Sequence, residues 1–237
     1  MATDEIITDG FESLGLSEPV IKALSDLGYE APTPVQQQTI PLLLAGRDVI
    51  GQAQTGSGKT AAFALPILQA LDLDLNAAQA LVLTPTRELA LQVAEAFHNY
   101  ARHLGRVKVL PVYGGQAIQQ QLVRLRTGMQ VIVGTPGRVM DHLRRGTLDF
   151  SQLRTIVLDE GDEMLRMGFI DDIEWIFGQA PEAAQKALFS ATMPEEIRRI
   201  ADRYLSNPAT VQTIQRTLTV PTVDQQYVLV PEPAKLD

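Results

Sequence analysis

A glycine-rich run that contains one lysine and one threonine carries the clearest chemistry in this 237-residue sequence. Residues 53–60 read AQTGSGKT and follow a short apolar run. In such loops, backbone N–H groups and the next helix N-terminus bind phosphates, the lysine neutralises their charge, and the hydroxyl ligates Mg²⁺. Ala53 departs from the strict pattern, and the alternative is a loop without ligand. The predicted nucleotide contacts are Thr55, Gly56, Ser57, Gly58, Lys59 and Thr60.

Two adjacent carboxylates follow another apolar run, at residues 155–158. We predict that Asp159 and Thr60 hold a metal ion and that Glu160 orients or deprotonates the water that attacks a γ-phosphate. An acidic pair in this position is more often a helix N-terminal turn that complements the helix dipole. The phosphate loop elsewhere in the chain favours the catalytic interpretation, with Glu160, Lys59 and Asp159 as catalytic residues.

Two further apolar runs end in a threonine, a proline and an arginine where a helix is predicted to begin. They read TPTRELA at 84–90 and TPGR at 135–138, and a Gly-Gly-Gln segment lies between them at 114–116. Helix N-termini favour phosphates, and glycines allow a nucleic-acid strand close to the backbone. The alternative for each motif is a capped helix with a solvated arginine. The predicted nucleic-acid contacts are Pro85, Thr86, Arg87, Gly115, Gln116, Thr135, Pro136, Gly137 and Arg138.

Two more polar groups have both a structural and a functional interpretation. The segment TPVQ at 33–36 fits a capping box, but the Gln36 amide could equally read the edge of an adenine, with Phe11 or Tyr29 as the ring surface. The residues alone leave these two interpretations open. Ser190 and Thr192 precede a proline and resemble an ordinary helix cap.

The elements that must position these residues alternate along the chain. Short β-rich runs are predicted to be strands at 48–51, 80–83, 107–112, 130–133, 155–158 and 187–189, with a further strand at 210–213. Segments of helical period lie between them, including 17–27, 59–71, 87–103 and 194–204. The alternation predicts an α/β fold with a mostly parallel sheet and helices on both faces. Every motif above except the front segment then lies at the carboxyl end of a strand, where such sheets bind ligands.

Composition excludes several classes of protein. The chain has no cysteine, which excludes disulfides, thiolate zinc sites and cysteine nucleophiles. A net charge of −8 argues against coating nucleic acid by bulk electrostatics, so any nucleic-acid site must be local. The three histidines lack metal-ligand spacing, and no run approaches the roughly 18 apolar residues of a membrane span. We expect a soluble, cytoplasmic protein.

In order and approximate spacing, the motifs resemble those of the DEAD-box RNA helicases of superfamily 2. The matching positions are Phe11, 28–36, 53–60, 85–90, 114–115, 135–138, 159–162 and 190–192. The resemblance implies the RecA-like fold of P-loop NTPases, ATP and Mg²⁺ as cofactors, and adenine recognition by Gln36. It also implies that RNA crosses the three other strand exits, contacted mainly on phosphates and sugars, with the 2′-hydroxyl distinguishing RNA from DNA. Ser190 and Thr192 would couple the nucleotide state to RNA binding.

The sequence departs from that family in two respects. Gly161 stands where the acidic tetrapeptide of the family has alanine, and no catalytic atom is lost. We also expect that the second RecA-like domain, which supplies arginines to the γ-phosphate in that family, is missing from this sequence. We expect a front segment at 1–46, a RecA-like ATP-binding domain at 47–210, and a linker at 211–237 that enters an absent second domain. The chain alone should then bind ATP weakly, hydrolyse it slowly and not unwind a duplex.

Two other functions compete with an RNA helicase. A DNA-directed superfamily 2 helicase is disfavoured by the front motif and by the TPGR segment. A non-catalytic, nucleotide-gated interaction module has no need of the carboxylate of Glu160.

Overall fold

In the computed structural model, which describes residues 10–213, seven strands form one sheet. They are Val49–Gln52 (β1), Ala80–Leu83 (β2), Val109–Val112 (β3), Val131–Gly134 (β4), Thr155–Leu158 (β5), Gln185–Ser190 (β6) and Ala209–Gln212 (β7). Every strand pairing in the sheet is parallel, and the order is β3-β4-β2-β5-β6-β1-β7. The predicted α/β fold with a parallel sheet is confirmed.

The central strands are buried on both faces because helices cover both sides of the sheet. Every residue of β2, β4 and β5 is buried. Successive side chains of a strand point to opposite faces. Accordingly, Ala80 and Val82 pack in one apolar cluster, which contains Phe63 and Phe97, whereas Leu81 and Leu83 pack in a second cluster.

The helices lie between the strands, as the alternation predicts. A short 3₁₀ helix at Phe11–Leu14 precedes Glu18–Asp26 (α1), Pro34–Leu44 (α2), Lys59–Ala70 (α3), Arg87–Tyr100 (α4), Ile118–Leu125 (α5), Pro136–Arg144 (α6), Gly161–Arg166 (α7), Ile170–Phe177 (α8) and Glu195–Tyr204 (α9). Within residues 10–213, no helix has both the length and the apolar character that crossing a membrane requires.

Several predicted boundaries shift by a few residues. α4 ends at Tyr100, not at 103, because a turn follows in which Leu104 N–H donates to Ala101 C=O. β3 begins at Val109, not at 107, because Val107 N–H donates to Gly105 C=O in another turn. β7 pairs with β1 and continues the sheet two residues past the predicted domain boundary at 210. The strand-like run at 227–230 lies outside the described residues.

Strand order divides the carboxyl edge of the sheet into two halves. β5, β6 and β1 are neighbours, so the acidic pair, the Ser190 segment and the phosphate loop leave the sheet side by side. β3, β4 and β2 are neighbours on the other side, so the Gly-Gly-Gln segment, the TPGR segment and the TPTR segment are also contiguous. The sequence order of the motifs conceals this grouping, which the fold creates.

Candidate nucleotide site and nucleic-acid edge

The phosphate loop joins β1 to the N-terminus of α3 and depends on glycine at two positions. Gly56 and Gly58 have φ angles of 81° and 94°, in the left-handed region that favours glycine. A Cβ atom on Gly58 would also lie 2.5 Å from Nε2 of Gln36. Lys59 and Thr60, the first residues of α3, line a cleft of about 360 Å³ with Asp159 and Glu160. The structure therefore brings the predicted catalytic residues together.

An ion pair connects the phosphate loop to the acidic segment across this cleft. Lys59 Nζ lies 2.9 Å from Oε1 of Glu160, and the Thr55 hydroxyl donates to the same oxygen at 2.9 Å. Glu160 adopts left-handed backbone angles of 58° and 51°, which cost a non-glycine residue on the order of 1 kcal/mol. A phosphate that binds Lys59 would compete with this carboxylate, so nucleotide binding would free Glu160 for a different partner.

Asp159 has the character of a cation ligand. The residue is 2% exposed, and its Oδ1 has no hydrogen-bond partner among residues 10–213. Burial raises the pKa of Asp159 to about 7, although the charge of Lys59 opposes that rise. In residues 10–213, no three acidic or histidine side chains converge, so a cation at Asp159 and Thr60 would complete its shell with phosphate and water oxygens, as Mg²⁺ does. The residues present fit that ion.

Replacing Asp159 by asparagine is expected to stabilise the chain at pH 8 and to stabilise it by a smaller amount at pH 5. The pKa of about 7 in the folded chain exceeds the value of about 3.9 in an unfolded chain, so stability falls as pH rises between them. Asparagine removes that loss, which is at most about 4 kcal/mol. Urea denaturation at both pH values, without divalent cations, measures the difference.

Asp162→Asn is the matched control for that experiment. Burial acts to raise the pKa of Asp162, but the hydroxyl groups of Thr192 and Ser190 outweigh burial and hold the pKa below its usual value. The contribution of this carboxylate is therefore present at pH 8 and lost in acid, so its removal should destabilise the chain at pH 8. Equal effects of the two substitutions at pH 8 would contradict the assignment of opposite shifts.

Asp162 also joins the predicted coupling residues to the acidic segment. Its Oδ2 accepts from the backbone N–H of Thr192 at 3.0 Å and from the Thr192 hydroxyl at 2.8 Å. The Asp162 N–H donates to Oγ of Ser190 at 3.0 Å, and Ser190 is buried. A displacement of the acidic turn would thus be transmitted to the segment that follows β6.

The front segment supports the structural role of Gln36 in a capping box. Its Oε1 accepts from Thr33 N–H at 2.9 Å, and its Nε2 donates to Gly58 C=O at 3.0 Å, so it contacts the phosphate loop directly. An amide has two donor hydrogens and two lone pairs, so these two bonds use one of each, but Gln36 is 1% exposed and is not among the residues that line the cleft. Of the two aromatic candidates, Tyr29 lines the cleft, whereas Phe11 is buried with its ring edge against Tyr29.

The other half of the edge presents two arginines. Arg87 lies over the ring of Tyr113 at 4.9 Å, next to Thr86, whose hydroxyl caps α4 by accepting from Leu89 N–H. Arg138 donates from Nη1 and Nη2 to Gln116 C=O, at 3.1 Å each. Thr135, Gly115 and Gly137 lie at the same edge, and the last two are exposed. Pro85 and Pro136 are buried, so they shape the turns and do not offer their rings to a ligand.

Comparison with known proteins decides the family. The family described as DEAD/DEAH box helicase matches residues 33–200, which include the phosphate loop, the acidic segment and both arginine motifs. The chain belongs to this family.

Relatives and solved structures agree with that assignment. The DEAD/DEAH box chain is 58% identical over 217 residues to the ATP-dependent RNA helicase DeaD of Escherichia coli K12, covering 92% of this chain and 34% of the relative. It is 54% identical to the DeaD protein of Haemophilus influenzae, with 94% and 36% covered. A DEAD box protein from Methanococcus jannaschii superposes with a TM-score of 0.82 at 41% identity, over 86% of this chain and 55% of that one. The chain spans about a third of the length of these curated relatives.

Gly161→Ala, which restores the alanine of the DEAD tetrapeptide, is expected to raise stability by about 0.5–1 kcal/mol, since alanine favours a helix more than glycine does. An added Cβ would lie 3.3 Å from Cδ2 of Leu158 and 3.5 Å from Cδ1 of Ile197, both ends of flexible side chains. Gly137→Ala is the uncrowded control, because Gly137 is also in a helix and a Cβ added there would have no atom within 4 Å. Thermal melting compares the two, and a lowered Tm for Gly161→Ala alone would show that the crowding dominates.

Residues on α4 were not predicted to face the nucleotide. Leu89, Gln92, Ala96 and Tyr100 line the cleft, and the Tyr100 hydroxyl lies 2.8 Å from that of Tyr29. Their spacing of three to four residues places them on one face of the helix. That periodicity is visible in the sequence, but only the packing of α4 against α3 shows which element the face meets.

Proposed function

We propose that this chain is the ATP-binding N-terminal domain of an ATP-dependent RNA helicase that locally unwinds or remodels RNA duplexes. The convergence of Lys59, Asp159 and Glu160 in one cleft, beside a contiguous arginine-bearing edge, carries the proposal. The matched relatives bear the name ATP-dependent RNA helicase, which supports the same reading. We place the protein in the cytoplasm.

The predicted site residues have distinct tasks in hydrolysis. Lys59 and the loop N–H groups bind the β- and γ-phosphates, and Glu160 orients and deprotonates the attacking water. Thr60 and Asp159 hold Mg²⁺, which supplies charge neutralisation on the phosphates. Gln36 and Tyr29 contact the adenine. The link from Asp162 to Ser190 and Thr192 reports the state of this cleft to the rest of the edge.

RNA binds the other half of the edge through its sugar-phosphate backbone. Arg87 and Arg138, with the helix N-termini of α4 and α6, provide the positive potential. The local nature of this potential agrees with a net charge of −8. A second RecA-like domain is the remaining partner, since it would supply further RNA contacts and arginines to the γ-phosphate.

A chimera tests this function. The 237-residue chain replaces the matched segment of the E. coli relative, and the rest of that relative follows it. ATP hydrolysis is measured alone, with single-stranded RNA, and with DNA of the same sequence. We expect stimulation by RNA, little by DNA, and strand separation of a short RNA duplex. Equal stimulation by DNA would favour the DNA-directed helicase, and no stimulation by either would favour the interaction module.

A further inference from the structure

A buried glutamine connects the separate pieces of the arginine-bearing edge. Gln121, on α5, is 2% exposed. Its Nε2 donates to Tyr113 C=O and to Oε1 of Gln116, at 3.0 Å each. Its Oε1 accepts from Nη1 of Arg138 at 3.1 Å and faces Nε2 of His142 at 3.0 Å. Gln121 thus contacts two residues of the loop that follows β3 and two successive turns of α6.

This carboxamide has its full hydrogen-bonding capacity in use. An amide offers two donor hydrogens and two acceptor lone pairs, and each of the four has a partner. Both groups near Nε2 are oxygens that accept, and Arg138 can only donate, so the amide has one consistent orientation. His142 must then donate from Nε2, and its Nδ1 lies 2.9 Å from the Thr147 hydroxyl, which also donates to the His142 carbonyl at 3.0 Å.

The groups that Gln121 contacts hold Arg138 and Arg87 in place. Arg138 is bonded both to Gln121 and to Gln116 C=O, so its guanidinium is held from two sides. Arg87 lies over the ring of Tyr113, whose carbonyl is bonded to Gln121. An arginine loses less conformational freedom on binding a phosphate when its guanidinium is already fixed.

We propose that Gln121 is a positioning residue for RNA binding: its carboxamide fixes Arg138 and the 113–116 loop relative to each other, so that Arg87 and Arg138 meet one RNA backbone. The inference rests on the proposed function, because it assumes that this edge binds RNA. His142 supports the arrangement from beneath by holding the oxygen of Gln121 that Arg138 uses. Gln121 itself is buried and does not touch the RNA.

A double-mutant cycle in the chimera tests this role. Gln121→Met keeps the side-chain volume but removes every hydrogen bond of the amide. We expect it to raise the RNA concentration for half-maximal ATPase stimulation about tenfold, with the KM for ATP unchanged. In a chimera that already carries Arg138→Ala, the same substitution should raise that concentration by clearly less than tenfold, because only the contacts of Gln121 with the 113–116 loop then remain to be lost.

Gln130→Met is the matched control for a loss of stability without a positioning role. Gln130 is 1% exposed, accepts from Lys108 N–H at 2.7 Å and donates to Leu73 C=O at 3.1 Å, next to the amino end of β4 and away from the RNA edge. Melting curves identify a temperature at which all variants are folded. We expect Gln130→Met to lower the Tm as Gln121→Met does, without changing the RNA requirement.

The possible results distinguish a failure of the positioning role from a failure of the proposed function. Equal effects of Gln121→Met with and without Arg138→Ala would overturn the positioning role and leave the RNA edge intact. An RNA requirement raised equally by Gln130→Met would also overturn it, since a general loss of stability would then suffice. If Arg138→Ala alone changed nothing, the inference would fall along with the assignment of Arg138 to RNA. An unmodified chimera that RNA does not stimulate would contradict the proposed function itself.

Discussion

Glu160→Gln in the chimera is expected to lower kcat for ATP hydrolysis by about 10²- to 10⁴-fold, the usual contribution of a general base. Glutamine keeps the size of the side chain but cannot accept a proton from water. It also removes the negative partner of Lys59, now 2.9 Å away, which the phosphates must displace. ATP should therefore bind at least as tightly as before. Single-turnover hydrolysis gives the rate, and equilibrium binding of a fluorescent ATP analogue gives the affinity.

Glu163→Gln is the control for this substitution. Glu163 belongs to the same short helix, is 44% exposed, and pairs with Arg166 on the surface. Exposed ion pairs contribute little, so its removal should leave hydrolysis and stability nearly unchanged. If Glu160→Gln hydrolysed ATP as fast as the control, Glu160 would not be the base. That result would favour the non-catalytic interaction module.

The local motifs of the nucleotide site could be predicted because each is continuous in sequence. The phosphate loop carries its own turn chemistry in Gly56 and Gly58, and its lysine and threonine follow directly. The acidic pair follows a strand whose four residues are all buried. Alternation of strands and helices then fixes the edge of the sheet at which these groups lie. No distant contact was needed for any of these predictions.

What the sequence conceals are contacts between motifs that lie far apart in the chain. Gln36 is bonded to the loop 22 positions later, and Lys59 to a carboxylate 101 positions later. Gln121 has no sequence signature, because a buried glutamine on a short polar helix cannot be distinguished from an exposed one by type alone. Such contacts depend on packing, which brings together side chains that no local pattern relates.

The strand order explains how one edge can serve two ligands. The nucleotide half consists of β5, β6 and β1, and the arginine-bearing half consists of β3, β4 and β2. β5 and β2 are neighbours, so the acidic segment that ends the first half lies beside the TPTR segment that begins the second. A shift of the acidic turn would therefore have a short path to the arginine-bearing half, since Asp159 N–H donates to the carbonyl of Leu83 at the end of β2.

The 237-residue chain alone is expected to hydrolyse ATP about 10³- to 10⁵-fold more slowly than the chimera with RNA, the range attributed to an arginine that meets the γ-phosphate. Among the described residues that line the cleft, Lys59 is the one basic side chain. Lys59 lies at the phosphate loop and can bind the phosphates there. Among the described residues, no second basic side chain lines the cleft to contact the γ-phosphate. The comparison uses single-turnover hydrolysis with each protein in saturating excess over ATP, and Lys59→Ala in the chimera shows that the rate belongs to this site. A chain that hydrolysed ATP within about tenfold of the chimera would show that the cleft described here is catalytically sufficient, and the role given to a second domain would have to be withdrawn.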